Sequence, residues 1–411
     1  MAIPVINAFI NFSTGPAFAQ AMILDQGILD TNILADSVAV IVDVSDQVNS
    51  ISTNRGRNAE ADQFQTGSLS LRIVDMNGDF NSQNVNSPYY SLLTPMRKVQ
   101  ISATYGAVTY PIFMGYITSY TTTTPRDVGD VVYTTIEAVC AFRLAQNAQI
   151  ATVAGSGVQL SGARINALLD AIAWPNSMRD IDAGLTTMQA DPGTARTALA
   201  AMQTVETSEY GALYVDASGS FVFQDRTVTA TSVTGTATVF NDNGSDIAYS
   251  NAVWILNDVL VYNQANVTRS GGSVQTATDQ ASIDKYFLHS YNQQNLLMQS
   301  DGVALEYAQA YVASRAETSV RCDAITLDLY TDNYNLGIIA ALSLDYFDPV
   351  TITTTQPGSS TLTKTLQVFG VSMSITPNSW RVTFTTLEPI IDAFILDSAL
   401  YGLLDTNVLS Y

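Results

Sequence analysis

The chain has 411 residues, with 17 Lys+Arg against 37 Asp+Glu, a formal charge of −20, although only 13% of residues are charged and 47% are hydrophobic. At roughly 100 to 200 residues per domain this predicts two to four domains with enough apolar material for sizeable cores, which excludes a single small module and a disordered tail. Nucleic-acid affinity rests on cations that displace phosphate counterions, and the basic residues come no denser than the pairs Arg55/Arg57 and Arg97/Lys98, so specific DNA binding is excluded as well.

Residues 1–34 read as an N-terminal docking segment, and residues 35–150 as a first β-barrel built from short strands. In Ser68 to Val74, Leu69, Leu71 and Ile73 alternate with Ser68, Ser70 and Arg72, the period-two pattern of a half-buried strand, and Asp75-Met76-Asn77-Gly78-Asp79 turns the chain after it. Val99, Ile101, Ala103 and Tyr105 repeat the alternation. Tyr110 to Tyr120 gives a third run, in which Gly115 predicts a bend or a close backbone approach. Residues 151–232 read as a small α/β insert. Ile165, Leu168, Leu169 and Ile172 stand at helical spacing, with Ser161 as the expected N-cap and Pro175 stopping the helix at Trp174. A second helix is expected from Ala195, Ala198, Leu199 and Met202, followed by a hairpin of Leu213–Val215 and Phe221–Phe223. Residues 233–389 read as a second β-barrel region interrupted by one helix, capped by Asp301 and burying Ala304, Tyr307, Ala308, Tyr311 and Val312. Leu366 and Val368 share one face while Val371, Met373 and Ile375 are out of phase by one residue, which predicts a β-bulge near Gly370. The threonine runs at 121–124 and 353–355 are expected at solvated hairpin tips. Residues 390–411 read as a C-terminal docking segment.

One internal repeat stands out. Gly27-Ile28-Leu29-Asp30-Thr31-Asn32-Ile33-Leu34 matches Gly402-Leu403-Leu404-Asp405-Thr406-Asn407-Val408-Leu409, and each copy follows an Ile-Leu-Asp triplet, at Ile23-Leu24-Asp25 and Ile395-Leu396-Asp397. Two unrelated apolar turns are the bland explanation, since Asp and Asn favour turns. The sharper expectation is that both segments dock by one geometry onto neighbouring subunits, as short strands with Leu/Ile plugs. The candidate docking residues are Ile28, Leu29, Asp30, Thr31, Asn32 and Leu34, with Leu403, Leu404, Asp405, Thr406, Asn407 and Leu409.

Motifs that carry chemistry are missing from the sequence. The single histidine, His289, lacks a Gly-x-Ser-x-Gly elbow for a Ser/His/Asp triad and is expected to be structural. Lys98, Lys285 and Lys364 follow no glycine-rich phosphate loop. Asp75, Asn77, Asp79 and Asn81 have calcium-loop spacing, but Phe80 stands where glycine is required and Asn86 where a bidentate Glu is required, so a plain Asx/Gly turn is expected. Cys140 and Cys322 fit neither a disulfide framework nor a zinc site and are expected to be free buried thiols. Carboxylates interrupt the apolar runs before they reach ~18 residues, so no membrane span is expected. Ala17-Phe18-Ala19 mimics a cleavage site, but the first basic residue is Arg55, so no secretory signal is expected either. No catalytic residue, cofactor or metal is predicted.

Arg55-Gly56-Arg57, Phe64, Gly67, Asp75-Met76-Asn77-Gly78-Asp79-Phe80-Asn81, Ser87-Pro88-Tyr89-Tyr90 and Phe113-Met114-Gly115-Tyr116-Ile117 together resemble the first barrel of minor tail and baseplate-hub proteins of long-tailed bacteriophages. Arg164 to Pro175, Arg179 to Gly184, and Ser208-Glu209-Tyr210-Gly211 through Arg226 are similar to the α/β insert of that family. Ser282 to Tyr286, the helix from Asp301, and Val371 to Trp380 are similar to its second barrel region, and Gly402 to Tyr411 to its C-terminal tail. The resemblance covers nearly the whole chain in order. It implies a mainly β structure with two barrel-like regions separated by a small α/β module. It also implies a ring closing the distal end of the tail tube and joining it to fibres or a spike. The homo-oligomer would be a trimer by resemblance, with a hexamer as the alternative; the partners would be other tail proteins, and the location the virion. Relatives often carry an appended enzymatic or needle domain, which this sequence lacks, so a scaffold role is expected. The alternatives are a sixfold distal-tail adaptor, or a β protein that binds or hydrolyses host carbohydrate, with twenty tyrosines and three tryptophans available to stack on sugars.

Overall fold

The structure, a computed structural model, describes residues 3–18, 41–57, 63–124, 131–155, 157–227, 236–330, 335–358 and 360–388. Its largest unit is a sheet of thirteen strands. From one edge it runs Asn251–Ile255, Arg321–Asp328, Ser379–Leu387, Thr361–Thr376, Val48–Gly56, Gln65–Val74, Tyr133–Val139, Val108–Thr123, Lys98–Tyr105, Val5–Asn11 and Ile41–Asp43. Pro349–Thr355 pairs with the first half of Thr361–Thr376, and Thr238–Asn241 lies parallel to Pro349–Thr355. The alternation in the sequence decides which face is buried. Gly67, Leu69, Leu71 and Ile73 point inward and Ser68 outward, so the strand can sit in only one register without exposing its apolar set.

The long strand Thr361–Thr376 joins the two β regions. Its second half pairs on one side with Ser379–Leu387 and on the other with Val48–Gly56, from Gly370 opposite Gly56 to Ile375 opposite Ile51. The predicted bulge is present, as a register shift between Val368 and Gly370. The protein is mainly β with an α/β insert. Among the described residues, the two barrel-like regions are arcs of one open ladder rather than two closed cylinders. The physical reason is that an edge strand left by each region finds its hydrogen-bond partner in the other region, so neither needs to close on itself.

In the insert, the helices Ser161–Ala171 and Ala198–Glu209 pack together, and the hairpin Ala212–Val215/Phe221–Gln224 carries Arg179–Ile181 as a parallel third strand. Two expected caps are corrected. Ser161 is the first residue of its helix, behind Leu160 as N-cap, and its hydroxyl donates to Glu209 at 2.7 Å instead. Asp301 likewise lies inside its helix, Asp301–Arg315, because Ser300 accepts from the Val303 N–H and is the cap. Thr197 caps the other insert helix through the Ala200 N–H at 3.1 Å.

A smaller three-stranded sheet places Gln264–Arg269 between Gln275–Thr278 and Ser290–Leu296, the last running parallel to it. The helix Asp301–Arg315 covers it, and Ala265, Val267, Leu296 and Met298 meet Ala304, Tyr307, Ala308 and Tyr311 in a separate apolar core. Among the described residues, the second β region holds two helices beyond the one expected, Gln280–Tyr286 and Asn335–Ser343.

Candidate assembly surface

Arg55-Gly56-Arg57 lies at the join between the two β regions, and the three residue types follow from that position. Gly56 has φ +108°, and a Cβ there would lie 2.3 Å from the Phe369 carbonyl oxygen, so only glycine fits without displacing backbone. The Arg55 guanidinium reaches Asp345 at 3.3 Å. Burial opposes its charge, but Tyr346 and Asp345 beside it raise its pKa on balance. Arg57 lies over the Phe369 ring at 4.3 Å and the Phe64 ring at 5.6 Å.

Beside this join is a cleft of about 740 Å³, within the usual range of roughly 300–1,000 Å³ for ligand sites. Three parts of the chain wall it: Arg57 and Gln63 to Thr66 from the first β region, the helix Ala198–Glu209 from the insert, and the strand Ser290–Leu296 with its covering helix. Tyrosines form its floor. The Tyr291 and Tyr311 rings stack at 3.7 Å, Tyr307 packs edge-on against Tyr210 at 4.7 Å, and the Tyr291 and Tyr307 hydroxyls are 3.1 Å apart. Burial raises the Tyr307 pKa well above the ordinary phenol value, so the ring is neutral at any physiological pH. Arg315 stacks over Tyr311 at 4.5 Å at the rim. The lining is otherwise rich in glutamine and threonine.

Two further features face outward. Among the described residues the edge strand Asn251–Ile255 pairs on one side only, with Val253 44% exposed and Leu256 just beyond it 61% exposed. Phe287, which follows the helix Gln280–Tyr286, is 83% exposed at φ +63°, and Leu288 beside it is also exposed. Nothing in the sequence pointed to this pair beyond two adjacent large apolar residues, because the helix that precedes them was not expected either. The cleft was also missed, because its walls come from segments far apart in the chain.

The predicted docking residues, Ile28 to Leu34 and Leu403 to Leu409, lie outside the described residues. The other singled-out residues have structural partners. His289 Nε2 is 3.1 Å from the Tyr286 carbonyl. Asp75 accepts from the N–H groups of Asp79 and Phe80 and from the Thr134 hydroxyl, closing a turn over the buried Phe80 ring. Both cysteines are free and buried, and burial raises both thiol pKa values, Cys322 to about 11. Glu209 is fully buried and accepts from Ser161 and from the N–H groups of Leu185 and Thr186. Five of the cations, Arg55, Arg57, Lys98, Arg164 and Arg321, are buried rather than displayed. No helix among the described residues is long and apolar enough to cross a membrane.

No family model matches the sequence, and no curated protein matches it. Solved structures do. The tail protein from Neisseria meningitidis MC58 superposes with a TM-score of 0.56 at 8% identity, covering 95% of this chain and 98% of that one. The 43 kDa tail protein of prophage MuSo2 from Shewanella oneidensis gives a TM-score of 0.52 at 11% identity, covering 93% and 98%. The chain therefore has the fold of phage tail proteins, along nearly its whole length and theirs.

Proposed function

We propose that this chain is a structural subunit of a phage tail tip, forming a hub ring at the distal end of the tail tube and linking it to fibres or a spike. The observation that carries this reading is the two-way coverage: the tail-protein fold accounts for almost all of the chain and leaves no large described unit over for another task. The side chains support it. The buried carboxylates Asp75 and Glu209 serve as brackets for backbone N–H groups, which is scaffold work rather than acid–base chemistry. Turning five cations inward removes them from contact with phosphates, which suits a ring that passes DNA without holding it.

The ring is a homo-oligomer in the virion tail, with three copies by resemblance, and its other partners are neighbouring tail proteins. Native mass spectrometry of the purified chain tests this directly. Three copies support the hub; six support the distal-tail adaptor; a solitary chain absent from purified tails refutes both. Deleting residues 394–411 is expected to leave the β regions folded and to weaken assembly. Unchanged incorporation of the shortened chain into tails would refute the docking role of that segment.

A further inference from the structure

The sequence contains two Asn-Gly pairs, Asn77-Gly78 and Asn243-Gly244. Both lie in turns, with the asparagine exposed and the glycine at positive φ, +67° for Gly78 and +82° for Gly244. Such a pair carries a chemistry of its own. The glycine nitrogen can attack the asparagine carboxamide carbon, because glycine has no Cβ to obstruct the five-membered ring that forms. In a folded chain this requires that the nitrogen can give up its proton and that the side chain folds back towards it.

The two turns differ on both counts. The Gly78 N–H donates to the Asp75 carbonyl at 3.1 Å, and the Asn84 carboxamide donates to the carbonyls of Asn77 and Gly78 at 3.2 and 2.9 Å. The Asp75 carboxylate in turn accepts from the N–H groups of Asp79 and Phe80, so the nitrogen of Gly78 is engaged in a turn tied on every side. Gly244 has no such tie. Its N–H meets no acceptor among the described residues, and nothing lies within 4 Å of where a Cβ would stand. The Asn243 side chain is already folded back along the chain, its Oδ1 accepting from the Ser245 N–H at 2.9 Å in an Asx turn. That bond polarises the carboxamide and is in place to hold the oxyanion that attack on its carbon creates. On either side the loop is anchored: the Asn241 N–H donates to the Ile247 carbonyl at 3.0 Å, and Asp242 accepts from the Thr355 N–H at 2.7 Å and hydroxyl at 3.1 Å.

We propose that Asn243 is a site of spontaneous deamidation, and that its fold protects Asn77 from the same reaction. The Gly244 nitrogen gives its proton to water and bonds to Asn243 Cγ; the Cγ–Nδ2 bond breaks and the nitrogen leaves, protonated, as ammonia. Water then opens the resulting succinimide at either carbonyl. One opening gives aspartate, and the other gives isoaspartate, in which the main chain runs through the side-chain carbon. Each product adds a negative charge between the exposed carboxylates Asp242 and Asp246, in a chain already at −20. Isoaspartate also lengthens the loop by one backbone atom between its anchors. Both changes weaken the hold of Asp242 on Thr355, at the edge where Thr238–Asn241 lies against Pro349–Thr355.

The test uses the full-length chain, incubated at mildly alkaline pH with and without urea, then digested in acid and mapped by mass spectrometry. An isoaspartate-directed carboxyl methyltransferase reads the isoaspartate. In the native chain Asn243 is expected to convert roughly tenfold faster than Asn77, equivalent to about 1.4 kcal/mol in barrier. In urea, where both turns are open, the two rates should converge. Three results overturn the proposal: equal rates in the native chain, a native Asn243 that stays intact while the unfolded one converts, or a difference that survives urea unchanged, since the turns would then not be its source. Amide exchange at Thr355 reads the consequence. It should be faster in the aged chain than in an Asn243→Gln chain aged beside it, and equal exchange would refute the loosening of that edge.

Discussion

Gly56 stands where the two β regions meet, and replacing it with alanine tests whether backbone contact there holds the sheet together. At φ +108° a side chain costs about 1–2 kcal/mol in backbone strain. The new methyl would also lie 2.3 Å from the Phe369 carbonyl oxygen and 2.4 Å from the Gly370 Cα, so packed backbone has to move, at about 1–3 kcal/mol. Gly56→Ala is therefore expected to destabilise by about 2–5 kcal/mol. Gly106→Ala supplies the control, since Gly106 has φ +57° and nothing within 4 Å of the added carbon, leaving only the strain of about 1 kcal/mol. Urea unfolding gives the two costs, and amide hydrogen exchange localises them: protection should fall along Ile51–Gly56 and Gly370–Ile375 in the first variant and not in the second. If Gly56→Ala costs no more than Gly106→Ala, or if exchange quickens elsewhere, the close approach is not what fixes this position.

Lys98 is fully buried, donating to Ser13 Oγ at 2.9 Å and to the Thr14 carbonyl, and burial, aided by Arg97, lowers its pKa from 10.5 to about 8. Between pH 8 and 10.5 the unfolded chain therefore holds a proton that the folded chain has released, so Lys98 makes stability rise with pH in that window. Lys98→Met should remove this rise, worth about 3 kcal/mol in total, and denaturation midpoints at pH 7.5 and 10 that shift equally in both proteins would contradict the assignment. Glu209→Ala leaves the Ser161 and Thr186 donors unpaired in the interior and the part-buried Leu185 N–H without its acceptor, and is expected to cost about 3 kcal/mol by urea denaturation, with Glu209→Gln milder because one acceptor remains; a loss below about 1 kcal/mol would rule out the bracket role. Cys140 and Cys322 should resist thiol reagent at pH 8 until urea unfolds the chain, and rapid native labelling would contradict their burial.

Local patterns in the sequence were readable because they are set by neighbours a few residues away. The alternation through Leu69, Leu71 and Ile73, the phase slip at Gly370 and the close approach at Gly115, where a Cβ would lie 2.6 Å from the Val139 carbonyl, all follow from strand geometry. The two misplaced caps, Ser161 and Asp301, failed by one residue, because Glu209 and the preceding Ser300 compete for the same roles. The pairing of Val48–Gly56 with Thr361–Thr376 could not be read, since it joins segments some three hundred residues apart and no local pattern encodes a partner at that distance. The same holds for the cleft, whose glutamines are ordinary surface residues in the sequence and acquire meaning only when three segments converge.

The shared ladder also has a mechanical consequence. Ile51–Gly56 and Gly370–Ile375 run antiparallel with their hydrogen bonds across the strand direction, so a pull along the strands loads the whole row in shear, whereas an outward peel opens it bond by bond. A tension applied to one half of the subunit is thus passed to the other through backbone rather than through a hinge, and the two halves yield together.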